Sequence, residues 1–370
     1  MIEISRYEVQ GGVSEYHVMI HVDNPRLAYA EQVKSVLSAY TQLLEGELKG
    51  AVTVLKRFFL SDAANQSDYL QTLLVEQEAC PLSIVEQSPL NGTKIALWAY
   101  LQKGVELKAL SHGMYEVKHG AYRHLWMAGA CHETSDAEAQ TRQLFDDYIT
   151  LLREQGCTLA ENCLRTWFFV QNVDVNYAGV VKARNEVFAT QNLTNQTHFI
   201  ASTGIAGRHA NHQVSVLMDA YAVQGIRQEQ IRYLYAPTHL NPTYEYGVSF
   251  ERGTAVDYGD RRQVFISGTA SINNKGEVVH PGDICKQTLR MWENVEVLLA
   301  EAECTFEHVS HLIVYLRDVA DYIVVKEMFD ERFPNIPKVY LLAPVCRPGW
   351  LIEMECMAVK TIHNERFPAY

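Results

Sequence analysis

One pattern written three times along the 370 residues constrains the fold more than any other feature of this sequence. Each copy reads as a long amphipathic helix, a strand, a second helix, and one or two strands ending in an apolar run. The first copy has its helix over 32–44, its strand over 51–60 (AVTVLKRFFL) and its closing segments at 80–85 and 94–100. The second opens at 126–130, with a helix over 140–152, a strand over 163–170, a helix over 177–188 and closing segments at 198–204 and 216–223. The third opens at 264–271 and continues with a helix over 287–299, a strand over 311–318, a helix over 322–333 and closing segments at 339–342 and 350–359. In its first helix Leu289, Trp292, Val295 and Leu299 are expected on one apolar face. The stretch 233–253 between the second and third copies is rich in Pro, Tyr and His and reads as an elaborated loop and strand, because its aromatics need burial. A single unit cannot bury its hydrophobic face alone. The expected architecture is therefore α+β: three sheets, each backed by helices, packed about a pseudo-threefold axis, with units at 1–122, 123–232 and 233–370.

The last strand departs from the pattern of its counterparts. The run 346–359 enters through Pro348-Gly349 and is otherwise apolar, yet it carries Glu353 and Glu355 at i and i+2, on one face. A carboxylate inside an apolar strand must be paired, protonated or used, since burying it bare costs several kcal/mol. Aligning the three closing strands by their endings (LWAYL, LMDAYAV, EMECMAV) sets Trp98, Asp219 and Glu355 opposite one another, and likewise Ala96, Leu217 and Glu353. Two copies manage with an apolar residue where the third has Glu353. That makes Glu353 the candidate for chemistry and Glu355 the structural one, with a salt bridge to a neighbouring Arg as the plain alternative for both.

Composition narrows the function classes. A chain 48% hydrophobic and 21% charged is globular rather than disordered. A net charge of −12 argues against nucleic acid as a main partner but leaves room for local basic pockets. No basic-then-apolar leader and no long apolar run is present, so a cytoplasmic location without membrane contact is expected. The eight cysteines show no CxxC and no zinc spacing with the histidines, and are expected as reduced thiols. There is no Walker A loop, no GxGxxG opening a βαβ unit and no GxSxG elbow. Neither metal nor cofactor is expected.

The third copy resembles the RidA/YjgF family of small trimeric proteins. The likeness is carried by Phe265-Ile266-Ser267-Gly268, Gly276-Glu277-Val278-Val279, Gly282-Asp283-Ile284, Gln287-Thr288, Val314-Tyr315-Leu316-Arg317-Asp318 and Ile352-Glu353-Met354-Glu355. Over roughly 125–360 the chain is also similar to the chorismatases, which are built on RidA-like (chorismate mutase-like) units in one longer polypeptide. There the carriers are Leu164-Arg165-Thr166-Trp167, 201–208 (ASTGIAGR), Met218-Asp219-Ala220-Tyr221, 246–252 (YGVSFER), 267–271 (SGTAS) and Cys346-Arg347 with Glu353. Two departures stand out. RidA deaminases carry an Arg for a substrate carboxylate where this sequence has Cys346, and the turn 272–275 is RidA-like rather than chorismatase-like.

The resemblance implies removal of pyruvate from chorismate, a cyclohexadiene carrying a ring carboxylate, a hydroxyl and an enolpyruvyl ether with a second carboxylate. The first step is protonation of the vinyl methylene carbon, which needs an acid with a raised pKa; Glu353 is expected in that role. The two carboxylates imply cationic clamps. Arg165, Arg252, Arg317 and Arg347 are the candidates, each with a structural ion pair as its alternative. Tyr246 and Gly268 are expected in the pocket. Ala270 and Cys346 are expected beside the ring, where the residue type steers between a hydroxybenzoate, with 3-hydroxybenzoate favoured, and a dihydroxycyclohexadiene carboxylate. Two rival readings are a RidA-like enamine/imine deaminase, with Arg347 as the carboxylate clamp, and a non-catalytic binding protein on the same fold. Because one chain holds three units, an intramolecular pseudo-trimer is expected: a monomer whose single site, for a small anionic dicarboxylate, lies between the second and third copies.

Overall fold

The computed structural model describes residues 1–75, 77 and 79–370, apart from the side chain of Tyr246. The first unit runs β1 (Ile2–Tyr7), β2 (Ser14–His21), α1 (Tyr29–Glu45), β3 (Val52–Leu60), α2 (Ala63–Leu74), β4 (Leu82–Glu86), β5 (Ser88–Pro89) and β6 (Ile95–Lys103). The second runs β7 (Glu106–Ala109), β8 (Met114–His119), β9 (Tyr122–Cys131), α3 (Ala137–Glu154), α4 (Leu159–Asn162), β10 (Cys163–Val170), α5 (Val173–Thr190), β11 (Ala201–Ala206) and β12 (Val216–Gln224). The third runs β13 (Ile231–Leu234), β14 (Gly253–Asp257), β15 (Arg261–Ala270), α6 (Ile284–Glu301), β16 (Val309–Leu316), α7 (Tyr322–Arg332), β17 (Lys338–Leu342) and β18 (Ile352–Thr361).

These strands form three sheets, ordered β1-β2-β6-β3-β4, β11-β10-β12-β9-β8-β7 and β13-β14-β15-β18-β16-β17-β5. The chain is thus three α+β units of RidA-like topology in tandem. In each unit the first long helix is amphipathic or partly so and covers one sheet face, while the other face packs inward against the other two sheets. Asp caps help to start these helices: Asp136 accepts from the Ala139 N–H and Asp283 from the Lys286 N–H. The largest core cluster draws inward-facing residues from all three sheets, including Trp98, Trp126, Trp167 and Met354. The sheets are also stitched edge to edge: Glu86 bridges to Arg208, Ala201 to Glu251, Ile205 to Val345, and β5 pairs with β17. This closes the ring of units within one chain.

Three details differ from the sequence expectation. The hairpin β7–β8 falls inside the expected first unit, 1–122, but it hydrogen-bonds onto β9 and so belongs to the second sheet. On sheet membership we place the limits after residues 104 and 226 instead. Leu289 is 47% exposed; the buried face of α6 uses Thr288, Met291, Trp292, Val295, Leu298 and Leu299. β5, two residues of the first unit, completes the third sheet. No disulfide joins any two of the cysteines among the described residues. Among the described residues no helix is long and apolar enough to cross a membrane.

The closing strands keep the expected equivalence. β3, β10 and β16 each slip register by one residue at the same place, between Thr53 and Leu55, Cys163 and Arg165, and Val309 and His311. Counting three residues beyond the bulged position reaches Arg57, Trp167 and Ile313, whose partners are Trp98, Asp219 and Glu355. Two residues further on, the partners are Ala96, Leu217 and Glu353.

Candidate active site

β18 lies between β15 and β16, which places Glu353 opposite Ala270 on one side and Tyr315 on the other. The β15–β18 ladder breaks register between Ile266 and Thr269, and the bulge sets Gly268 against the Glu353 carboxyl. A Cβ on Gly268 would stand 2.1 Å from Oε1 of Glu353, so only glycine leaves room for this carboxyl. Glu353 is 5% exposed, and among the described residues none forms an ion pair or hydrogen bond with its carboxyl. Burial pushes its pKa up to about 8; the charge of Glu355 adds to the rise, while Arg165 and Arg252 oppose it. Glu353 is therefore largely protonated at neutral pH.

Glu355 has the opposite surroundings. It accepts from Arg165 Nη2 at 2.7 Å, from Trp167 Nε1 at 2.9 Å and from the Thr203 hydroxyl, with Arg57 Nη1 3.8 Å away. Arg57, from the first unit, donates to Asp219 at 2.7 Å and stacks over Trp98, Trp167 and Phe169. Two guanidiniums and two carboxylates thus balance at the axis, and Glu353 stands outside that balance.

Glu353 opens into a cavity of about 660 Å³ between the second and third units. α5 and β11 of the second unit supply one wall; β15, β18 and the loops 247–252 and 346–350 of the third supply the other. Gly268, Ala270, Cys346, Arg252, Arg347 and Glu353 all line it. Arg252 is 5% exposed, donates to the Asn241 carbonyl and side-chain oxygens at 3.1 Å each, and lies over the Phe250 ring. The Arg347 guanidinium lies over Trp350. Tyr177 hydrogen-bonds the Cys346 thiol, and burial pushes that thiol up to about 12, so it enters the cavity as a neutral group.

Two expected clamps are elsewhere. Arg165 does not line the cavity; its guanidinium is committed to Glu355 and Thr203. Arg317 also stands behind the wall, donating to the Val345 carbonyl at 2.7 Å and to Asp174. The Tyr246 side chain lies outside the described residues. Tyr244, two residues before it, is 47% exposed and lines a smaller neighbouring cleft.

One residue of the cavity was not foreseen. Arg184, on α5, is 1% exposed, and its Nε and Nη2 have no hydrogen-bond partner among the described residues. Its signal in the sequence is positional: it sits on the stripe Val180, Arg184, Phe188, where a charge is out of place. Leaving a guanidinium buried and unmatched costs several kcal/mol unless an anion arrives to meet it. The acidic residues at the rim are already matched outward, Asp174 to Arg317 and Glu186 to Arg142. With Glu353 neutral, the interior carries a surplus of positive charge from Arg184, Arg252 and Arg347. Phe250, Trp350, Val248 and Ile272 give it an apolar wall beside those cations. No group of three metal-binding side chains occurs among the described residues.

Comparison with known proteins agrees with this architecture. Residues 253–360 match the family model described as Endoribonuclease L-PSP. Over 100 residues the chain is 35% identical to a RutC family protein of Pyrococcus abyssi, covering 26% of this chain and 78% of the relative. A 3-aminoacrylate deaminase, RutC, of Acinetobacter baylyi is 31% identical over 97 residues, 26% of this chain and 77% of its own length. The 3-hydroxybenzoate synthase of Streptomyces hygroscopicus is 27% identical over 256 residues, 63% of this chain and 73% of that protein. The crystal structure of a chorismatase superposes with a TM-score of 0.68 at 18% identity, covering 93% of this chain and 98% of that one. The fold and the matched segment define a protein of RidA-like units. Within that class, the 35% identity over 78% of a RutC family protein places the third unit in the RutC family, and over nearly its whole length the chain shares the fold of a chorismatase.

Proposed function

We propose that this protein releases pyruvate from chorismate, with Glu353 as the proton donor. The observation that carries the reading is a protonated, unpaired carboxyl facing a cavity whose remaining charge is cationic. The similarity to a 3-hydroxybenzoate synthase supports the same chemistry. Glu353 gives its proton to the vinyl methylene carbon, which becomes a methyl group, and the neighbouring carbon becomes an oxocarbenium ion. Its positive charge develops beside the carboxylate that Glu353 has just become, which stabilises it. Water attacks that carbon, the C–O bond to the ring breaks, and pyruvate leaves with a dihydroxycyclohexadiene carboxylate. If the ring's own hydroxyl captures the ion instead, loss of pyruvate and aromatisation yield a hydroxybenzoate with no net uptake of water. The neutral Cys346 and small Ala270 flank this region, and 3-hydroxybenzoate is the favoured product. Arg184, Arg252 and Arg347 take the two substrate carboxylates, and the aromatic wall takes the ring.

The deciding experiment is incubation of the purified protein with chorismate. Pyruvate and a hydroxybenzoate are expected with the wild type, and Glu353→Gln should lower the rate by about 100-fold or more, the scale of a lost general acid. Wild-type rates in Glu353→Gln would reject the role. A second reading, deamination of an enamine such as 2-aminoacrylate, is favoured by the similarity to RutC and by the position of Arg347 in the cavity wall. It predicts ammonia from 2-aminoacrylate and no pyruvate from chorismate.

A further inference from the structure

We propose that Glu355 is a positioning residue for this reaction: its negative charge, fixed at the axis by groups from the first and second units, adds to burial in keeping the neighbouring Glu353 carboxyl protonated and ready to act. The inference rests on the acid role given to Glu353 and adds what controls it.

The geometry is direct. Glu353 and Glu355 lie on one face of β18, two residues of extended chain or about 7 Å apart along the strand. Both are nearly fully buried, at 5% and 2% exposure, so little water screens one from the other. Two carboxylates so placed do not share ionisation evenly: the better-solvated one ionises and the other holds its proton. Here the donors decide which. Arg165, Trp167 and Thr203 all donate to Glu355, and Arg57 stands 3.8 Å away. Thr203 is itself oriented, accepting from Arg165 at 2.5 Å and from the Gly268 N–H at 2.9 Å. It therefore has only its proton to offer Glu355.

Among the described residues, the charged and titratable groups nearest Glu353 can be placed, with Tyr177, Lys182, Asp174 and Glu186 further out on the α5 wall. Arg165 on β10 and Arg252 before β14 favour its ionised form. Tyr315 across the ladder is buried and held neutral. The Cys346 thiol is neutral, and Arg184 and Arg347 stand further round the cavity. Glu355 is the anion in this set that opposes ionisation of Glu353. The first unit takes part as well, because Arg57 is committed to Asp219 and Glu355 at once.

The test compares wild type with Glu355→Gln by two readouts: the pH dependence of pyruvate release, and infrared titration of the Glu353 carboxyl isolated by subtracting the Glu353→Gln spectrum. Removing the Glu355 charge also leaves Arg165 unmatched, and both changes favour ionised Glu353. Its titration should fall by about one pH unit or more, carrying the high-pH limb of the rate with it. Glu15→Gln, which breaks the separate buried pair with Arg261, should leave that limb in place. An unmoved titration in folded Glu355→Gln overturns the proposal. Should Glu355→Gln fail to fold, the wild-type and Glu353→Gln spectra decide: Glu353 protonated and Glu355 ionised near neutral pH upholds it, and the reverse overturns it. The infrared readout needs no turnover. A shift as expected in a protein that leaves chorismate intact would sink the proposed reaction while upholding the coupling of the two carboxyls.

Discussion

Glu353 holds a proton because burial and the Glu355 charge outweigh the pull of Arg165 and Arg252, and that has a consequence for stability. Its folded pKa of about 8 lies above its unfolded value, so between roughly pH 4.5 and 8 the native state binds more protons than the unfolded chain. Its contribution is fully present below the unfolded value and is lost as pH rises through the folded one. Glu353→Gln has no such loss, so its melting temperature should gain on that of the wild type as pH is raised from 5 to about 9. Parallel melting curves at both ends of that range would contradict the assignment. Gly268→Ala is the complementary change: the added methyl occupies the carboxyl's place, and activity should fall by about 100-fold with little loss of stability. At this scale the sequence was readable where a residue broke a repeated pattern, as Glu353 does against Ala96 and Leu217. It was not readable for Arg165, whose position in an apolar strand suited a clamp as well as an ion pair. Only the distance to Glu355 separates the two.

α5 shows the same limit for a whole element. Its span was legible from the pattern of apolar residues, but its role as a cavity wall depends on where the third unit sits against it. Arg184 tests that role. Replaced by Gln, it removes a buried cation whose Nε and Nη2 have no hydrogen-bond partner among the described residues and which a substrate carboxylate would meet. The melting temperature should rise, while kcat/KM for chorismate should fall by about 10- to 150-fold, the worth of a charge-assisted hydrogen bond. A fall in both would make Arg184 a structural residue. Other elements escaped the sequence for physical reasons. β7 and β8 are short and carry little apolar alternation, so their attachment to β9 is decided by pairing rather than composition. The exposure of Leu289 follows from α6 rolling slightly to bury Thr288, whose hydroxyl bonds back to the Ile284 carbonyl.

For the molecule as a whole, Arg57 is one residue through which the first unit reaches the other two. Arg57→Met keeps the stacked bulk between Trp98 and Trp167 but leaves Asp219 buried without its cation. That should cost about 3–5 kcal/mol, measured by denaturant unfolding, with far less expected from an exposed pair such as Arg142–Glu186. Because the ring of sheets closes within one chain, sedimentation should give the mass of a single polypeptide; a stable trimer of this chain would contradict that closure. The threefold design itself was legible, since helix and strand periods recur in order. The β5–β17 exchange was not, because two residues carry no period at all.

Joining the units covalently also frees them from sameness. In an assembly of identical subunits, any residue placed near the axis is present three times, and so is the penalty for burying it. Here Glu353 can be tolerated in one strand while the matching positions of the other two stay greasy. One corner of the ring that differs from the other two is what joining the units in one chain makes possible.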